Sequence, residues 1–365
     1  MLATEKKASG ESRRVVVVGA TGNVGTSVVA ALAEDPRVGS ILGVARRLPQ
    51  WSAPRTEWTQ ADIGRDDLVD LFRGADVVIH LAWLFQPSHN PLITWNTNVG
   101  GAIRVFRAVA AARVPALVYA SSVGAYSPGP RTRGTREQAV GEDWPTEGWP
   151  TASYTREKAY LERSLDAFEC AHPELRVVRL RPGFIFKRES ASQQRRLFVG
   201  PLLPHWLVRP DLVPFIPDLP GLRFQAVHTA DVGQAYRLAA LSDVRGAFNI
   251  AAEPVVDAAM LGTCLGARTV RVPVWPVRAA LSLAWHLHLV PASPYLFDGF
   301  MQLPLMDISR ARTELGWSPR YSAREAVEEF LGGLREGAGM STAPLVTTTP
   351  GGRAREVRTG VGARP

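Results

Sequence analysis

The run Val15-Val16-Val17-Val18, followed at once by Gly19-Ala20-Thr21-Gly22-Asn23-Val24-Gly25, restricts this chain's fold more than any other feature. Four β-branched residues in succession suit a strand buried on both faces, which is the environment of a parallel sheet covered by helices. Three glycines then recur every third residue, and a helix-length segment, Thr26 to Glu34, follows. A strand that turns through glycine into a helix brings backbone N–H groups and the positive end of the helix dipole to one point. That arrangement suits a pyrophosphate, and glycine lets the backbone approach it closely. A dinucleotide site is therefore expected over Gly19, Thr21, Gly22, Asn23, Val24 and Gly25. A purely structural loop is the competing reading.

A second pattern concerns chemistry. Tyr154 and Lys158 stand four residues apart in a helical stretch, which places them on one face. The chain otherwise uses arginine for its positive charge, and its lysines are Lys6, Lys7, Lys158 and Lys187. A lysine in that setting suggests a need for a compact ammonium group. An ordinary surface pair would look the same in isolation. Upstream, Leu117 to Ala120 reads as a buried strand that ends in Ser121 and Ser122.

Strands are expected near 14–18, 39–45, 56–61, 76–81, 115–121 and 175–181, with helices near 23–34, 66–73, 94–113 and 151–171. Asp66 and Thr94 are the expected helix starts. This alternation implies an α/β fold with a parallel sheet. A further strand is expected from Phe224, leading into a helix near Asp231, which reads as its cap. Gly246 to Ala251 reads as another strand and Ala323 to Arg335 as an amphipathic helix. Residues 1–12 and 337–365 lack apolar periodicity and are expected to be disordered tails. The loop from Ser127 to Pro150 is expected to rim the substrate pocket, with Glu142 and Asp143 solvated.

With 365 residues the chain can bury a large core. Its two cysteines make neither a disulfide framework nor a metal cluster, and no metal site is expected. Residues 1–14 lack the apolar core of a secretory signal, so a cytoplasmic location is expected. The apolar stretch from Ala279 to Ala292 is too short and interrupted for stable membrane insertion. The net charge is +8, and the end of the chain holds Arg353, Arg355, Arg358 and Arg364 against Glu356. What remains suits an anionic small molecule at least as well as nucleic acid, which is not expected as a partner.

Together these motifs resemble the extended short-chain dehydrogenase/reductases, and in particular the NAD(P)-dependent epimerase/dehydratase family. The resemblance runs from about Arg14 to about Gly333. Gly19, Gly22 and Gly25 match the glycine fingerprint, and Asp62-Ile63 resembles the adenine-side acid after the third strand. His80-Leu81-Ala82 and Asn98-Val99-Gly100-Gly101 match cofactor-side stretches. Ser122, Tyr154 and Lys158 fall on the catalytic positions, and Arg181-Pro182-Gly183 on the step after the sixth strand. Val227 to Val232 and Leu315 to Pro319 are similar to late family patterns.

The resemblance implies a Rossmann-type doubly wound sheet over residues 13–185, then a smaller mixed substrate-binding part over 186–336, with 224–251 returning to the first domain. It implies that Leu81, Ala82, Asn98 and Pro182 touch the cofactor. It implies hydride transfer at a carbinol or keto carbon. Tyr154 would act as general acid/base, Lys158 would lower its pKa and hold the ribose hydroxyls, and Ser122 would orient the substrate oxygen. Relatives often dimerise through two helices, and the 94–113 helix has matching apolar content, so a homodimer is an open expectation.

Cofactor choice can be read from the second strand's end, where an NAD enzyme of this fold usually places an acid. Here Val44-Ala45 leads into Arg46-Arg47. A guanidinium suits a 2′-phosphate, so NADP is expected to be preferred through Arg46, with NAD the alternative. A nucleotide sugar is the family's usual small-molecule substrate. Phe184-Ile185-Phe186-Lys187, Trp83-Leu84-Phe85 and the proline-rich segment 197–224 depart from that pattern and keep open a reductase or dehydrogenase of an apolar ketone or alcohol. His80 and His228 can be structural, Asn98 can bridge backbone groups, and Glu137 and Glu142 have no spacing that supports dehydration. A non-enzymatic dinucleotide sensor is the reading from another class, and the presence of Ser122, Tyr154 and Lys158 argues against it.

Overall fold

The computed structural model describes residues 12–86, 88–130, 138–200 and 213–347. Along the chain come β1 (Arg13–Val18), α1 (Asn23–Glu34), β2 (Val38–Ala45), β3 (Thr56–Gln60), α2 (Val69–Phe72) and β4 (Val77–His80). Next are α3 (Pro91–Trp95), α4 (Gly101–Ala111), β5 (Ala116–Ala120), α5 (Ser153–Ala171) and β6 (Arg176–Pro182). β7 (Phe184–Phe186), α6 (Ala191–Gln194), β8 (Phe215–Asp218), β9 (Arg223–Phe224) and β10 (Ala226–His228) lead to α7 (Thr229–Leu241) and β11 (Gly246–Ile250). The last elements are β12 (Val256–Asp257), α8 (Ala258–Leu265), β13 (Arg268–Arg271), α9 (Val274–His286), α10 (Pro294–Phe300), α11 (Ser309–Thr313) and α12 (Ala323–Glu336).

Seven strands form one sheet in the order β11-β6-β5-β4-β1-β2-β3. Every pair in it is parallel. The fold is thus the expected Rossmann-type α/β arrangement. The four valines of β1 explain its interior place in the sheet. Val15 and Val17 face a core shared with α1, α7 and Trp317, whereas Val16 and Val18 face one shared with α4 and α5. Successive side chains of a strand point to opposite faces, so only an apolar run serves both layers.

The remaining strands pair in three small two-stranded units, β10 with β7, β12 with β9 and β13 with β8. A separate core of Ala226, Val256, Leu265, Val327 and Leu331 lies there. Four expectations are corrected. α2 begins at Val69, not Asp66, and Thr94 lies inside α3, which starts at Pro91. α7 is capped by His228, whose Nδ1 accepts from the Ala230 N–H at 3.2 Å. Asp231 is buried in the first turn of α7, where its Oδ2 accepts from the Tyr321 N–H and its carbonyl from the Trp317 indole. Residues 338–347 are packed, with Leu345 and Thr342 buried, where a disordered tail was expected.

Candidate active site

The glycine turn joins β1 to α1. Gly19 has φ +86°, and a Cβ there would lie 2.6 Å from the Ala82 backbone nitrogen. A Cβ on Gly25 would lie 2.3 Å from the Gly19 carbonyl oxygen. Both glycines are therefore required by close backbone approach. Gly22 is different, since its Cβ would make only an ordinary 3.5 Å contact. It caps α1 without any side-chain hydrogen bond, and the first turn carries no acid. The helix thus presents unmatched N–H groups, the feature that suits a phosphate.

One cavity of about 770 Å³ opens from this turn. Gly19, Thr21, Gly22, Asn23, Val24 and Gly25 line one part of it, and Arg46, Asp62 and Ile63 lie at the ends of β2 and β3. Leu81, Ala82, Asn98, Ser122, Tyr154, Lys158 and Pro182 line the rest. Residues from six strand ends converge here because ligand crevices in such sheets lie beyond the carboxyl ends of the strands. The glycine cradle and the capless helix fit a dinucleotide.

Within the cavity the Tyr154 hydroxyl donates to Ser122 Oγ at 2.9 Å, and Ser122 Oγ also accepts from the Gly124 N–H at 3.0 Å. Lys158 Nζ donates to the Ala120 carbonyl at 2.6 Å and lies 3.5 Å from the Trp83 ring centroid. Burial pushes the Tyr154 phenol up to about 12, against the opposing effect of its hydrogen bond with Ser122. Burial likewise pushes the Lys158 ammonium down to about 7. Burial is the largest cause of the Tyr154 rise, and the charge of Glu157 adds to it. Gly124, which the sequence did not single out, is needed here. A Cβ on it would lie 2.8 Å from the Tyr154 ring, and only its place after Ser122 hinted at this.

Asn98 lies in a wide helical turn, Asn96–Gly100, between α3 and α4. Its Oδ1 accepts from the Leu84 N–H at 2.7 Å, while its Nδ2 donates to the Leu84 carbonyl at 2.8 Å and to Glu157 at 2.7 Å. Thr94 donates to the same carboxylate. Asn98 therefore holds the segment after β4 against α5, which is the bridging role. Behind Ser121, Glu162 accepts from that serine and pairs with Arg181 and Arg179. His80 is buried among aromatic rings, and burial and Lys158 push its imidazole down to about 3. It does not line the cavity.

The described part of the 127–150 loop does not line this cavity. Glu142 is half-buried and accepts from the Asn249 N–H at 2.8 Å, so it is not solvated. Glu137 lies outside the described residues. The wall comes instead from Trp83 to Gln86, Phe184 to Phe186, Gln193, Gln194, Arg196 to Phe198, Phe300, Leu303 and the returning segment at Ala343, Pro344 and Val346.

The fold and this cavity define a dinucleotide-binding α/β protein of the short-chain dehydrogenase/reductase type. Residues 15–251 match the model of the NAD dependent epimerase/dehydratase family, and the chain belongs to that family. It is 26% identical over 330 residues to an uncharacterized protein of Mycobacterium tuberculosis, covering 87% of this chain and 83% of that one. A shorter match, 35% over 114 residues, links it to L-arabinose 1-dehydrogenase (NAD(P)(+)) of Haloferax volcanii, covering 30% of this chain and 41% of that enzyme. Among solved structures, MoeE5 in complex with UDP-glucuronic acid and NAD superposes with a TM-score of 0.64 at 22% identity, covering 88% of this chain and 99% of that one. UDP-glucose 4-epimerase from Thermotoga maritima does so with a TM-score of 0.63 at 18% identity, again covering 88% and 99%. No helix among the described residues is long and apolar enough to cross a membrane.

Proposed function

We propose that this chain is an NAD(P)-dependent oxidoreductase that transfers hydride at a carbinol or keto carbon. The observation that carries this reading is the hydrogen bond from Tyr154 to Ser122 in the same cavity as the glycine turn. When bound, a dinucleotide would supply or accept the hydride. Ser122 orients the substrate oxygen and Tyr154 Oη gives or takes its proton. A phenol held near 12 is protonated at neutral pH, so it is ready to donate to a carbonyl oxygen. Lys158 holds the ribose hydroxyls from the same helix face.

NADP is the proposed cofactor, on the position of Arg46 and Arg47 at the end of β2. Arg46→Ala should reduce an NADP-over-NAD preference by about tenfold in equilibrium titrations. An unchanged ratio would remove Arg46 as the selector. Tyr154→Phe should lower turnover by about 10²- to 10⁴-fold while leaving cofactor affinity intact, and unchanged turnover sinks the assignment.

Family membership and the titles of the solved relatives, which name UDP-sugars, support a nucleotide sugar as substrate. The aromatic wall favours a second reading, reduction of an apolar carbonyl. Mass spectrometry of dinucleotide released on denaturation separates the two chemistries. Tightly retained cofactor indicates an epimerase or dehydratase, which regenerates it in each turnover. An empty protein that binds NADPH reversibly indicates a reductase.

A further inference from the structure

We propose that the substrate half of the cavity selects an uncharged ketone, or the corresponding secondary alcohol, with an apolar ring-bearing body. This rests on the hydride-transfer reading and concerns which substrate class the site selects.

The first observation is the frame around the reacting hydroxyl. Phe85 stacks on the Tyr154 ring, with centroids 5.4 Å apart and planes 15° apart. Trp83 meets that ring edge-on at 5.6 Å, and Phe300 does so at 6.5 Å. Phe198 packs edge-on against Phe85 at 5.8 Å. A carbonyl oxygen that reaches Tyr154 Oη and Ser122 must bring its neighbouring atoms between these rings. Flat apolar groups gain there by burial and by offset or edge-on ring contact.

The second observation is independent and concerns charge. Gln86 is buried, and its amide donates to the carbonyls of Arg196 and Leu197. Arg196 donates to the carbonyls of Val346 at 2.7 Å and Pro344 at 2.9 Å. The side chains that a diphosphate would need are thus committed to backbone, and they hold the 343–346 segment against the cavity. Arg46 and Arg47 lie beyond β1 on the dinucleotide side, at the end of β2. Among the described residues lining the substrate half, Lys158 and Arg196 are the cations, and Lys158 donates to Ala120. Among these described residues a dianion would lose its water without gaining a matched partner. An uncharged ketone has no such cost. In its reduction the carbonyl carbon gains the hydride supplied by NADPH and the oxygen gains the Tyr154 proton. The C=O π bond becomes C–H and O–H bonds, and the cofactor leaves oxidised.

The test is calorimetric titration of the full-length, NADPH-loaded protein with three probes. They are 1-tetralone, 6-carboxy-1-tetralone and UDP-glucose. We expect saturable binding of 1-tetralone, binding at least about tenfold weaker for its carboxylate, and no saturable binding of UDP-glucose. Phe198→Ala should weaken 1-tetralone by about tenfold and leave NADPH affinity unchanged. Saturable UDP-glucose binding, equal affinity for the two tetralones, or no binding of 1-tetralone overturns the proposal. The hydride-transfer reading fails separately. It fails if the protein does not bind NADPH in the loading step, or if bound 1-tetralone is reduced equally well by Tyr154→Phe.

Discussion

At the scale of single residues, water exclusion decides the chemistry of the site. Burial pushes the Lys158 ammonium from the ordinary lysine value of 10.5 down to about 7. Between these values the unfolded chain binds more protons, so this residue makes stability rise with pH across that window. Lys187, pushed down to about 8 by burial, acts with the same sign. Chemical denaturation at pH 7 and pH 9.5 should show a smaller rise for Lys158→Met than for the unaltered protein. An equal rise would mean that Lys158 remains charged in the fold. Gly124→Ala places a methyl 2.8 Å from the Tyr154 ring. It should lower turnover with little change in cofactor affinity, because the phenol is displaced from Ser122. The roles of Tyr154, Lys158 and Ser122 could be proposed from spacing, but their protonation states could not. Spacing is a local property, whereas desolvation depends on what packs over the helix from elsewhere.

At the scale of elements, contiguous motifs were the most readable. The β1 turn and α1 lie where the valine run and glycines put them, since strand, turn and helix are all encoded within about twenty residues. Gly25→Ala should cost about 1–3 kcal/mol in folding stability and weaken dinucleotide binding, measured by denaturant titration and by NADPH fluorescence. The stretch 94–113 was legible as helical, but its wide turn at Asn96–Gly100 was not. That turn lets Asn98 hold Leu84 and Glu157 together, and so carries Trp83 and Phe85 to Tyr154. Asn98→Ala leaves the buried Glu157 carboxylate short of a donor and should destabilise by about 1–3 kcal/mol. A rise in substrate KM with unchanged NADPH affinity would show that the clamp positions the aromatic segment.

For the whole molecule, the parallel sheet follows from the alternating pattern, yet the cavity's outer wall is assembled from distant parts. The clearest case is the end of the chain. Arg196 holds Pro344 and Val346, and Leu345 is buried, so removing residues after Gly337 should loosen that wall. A chain ending at Thr347 keeps these bonds. It should bind substrate as the full chain does, whereas the shorter truncation should raise KM and keep cofactor affinity. Equal KM for both would detach this segment from the site. The sequence by itself determined the α/β class, a first strand buried on both faces, the dinucleotide turn and the shared helix face of Tyr154 and Lys158. Each of these depends on residues within a strand, a turn or one helical repeat. The tertiary structure alone decided the aromatic frame around Tyr154, the commitment of Arg196 to backbone carbonyls and the return of residues 338–347. Those contacts join segments from about seventy to a hundred and fifty residues apart, and no local periodicity records which surfaces will meet when the core closes.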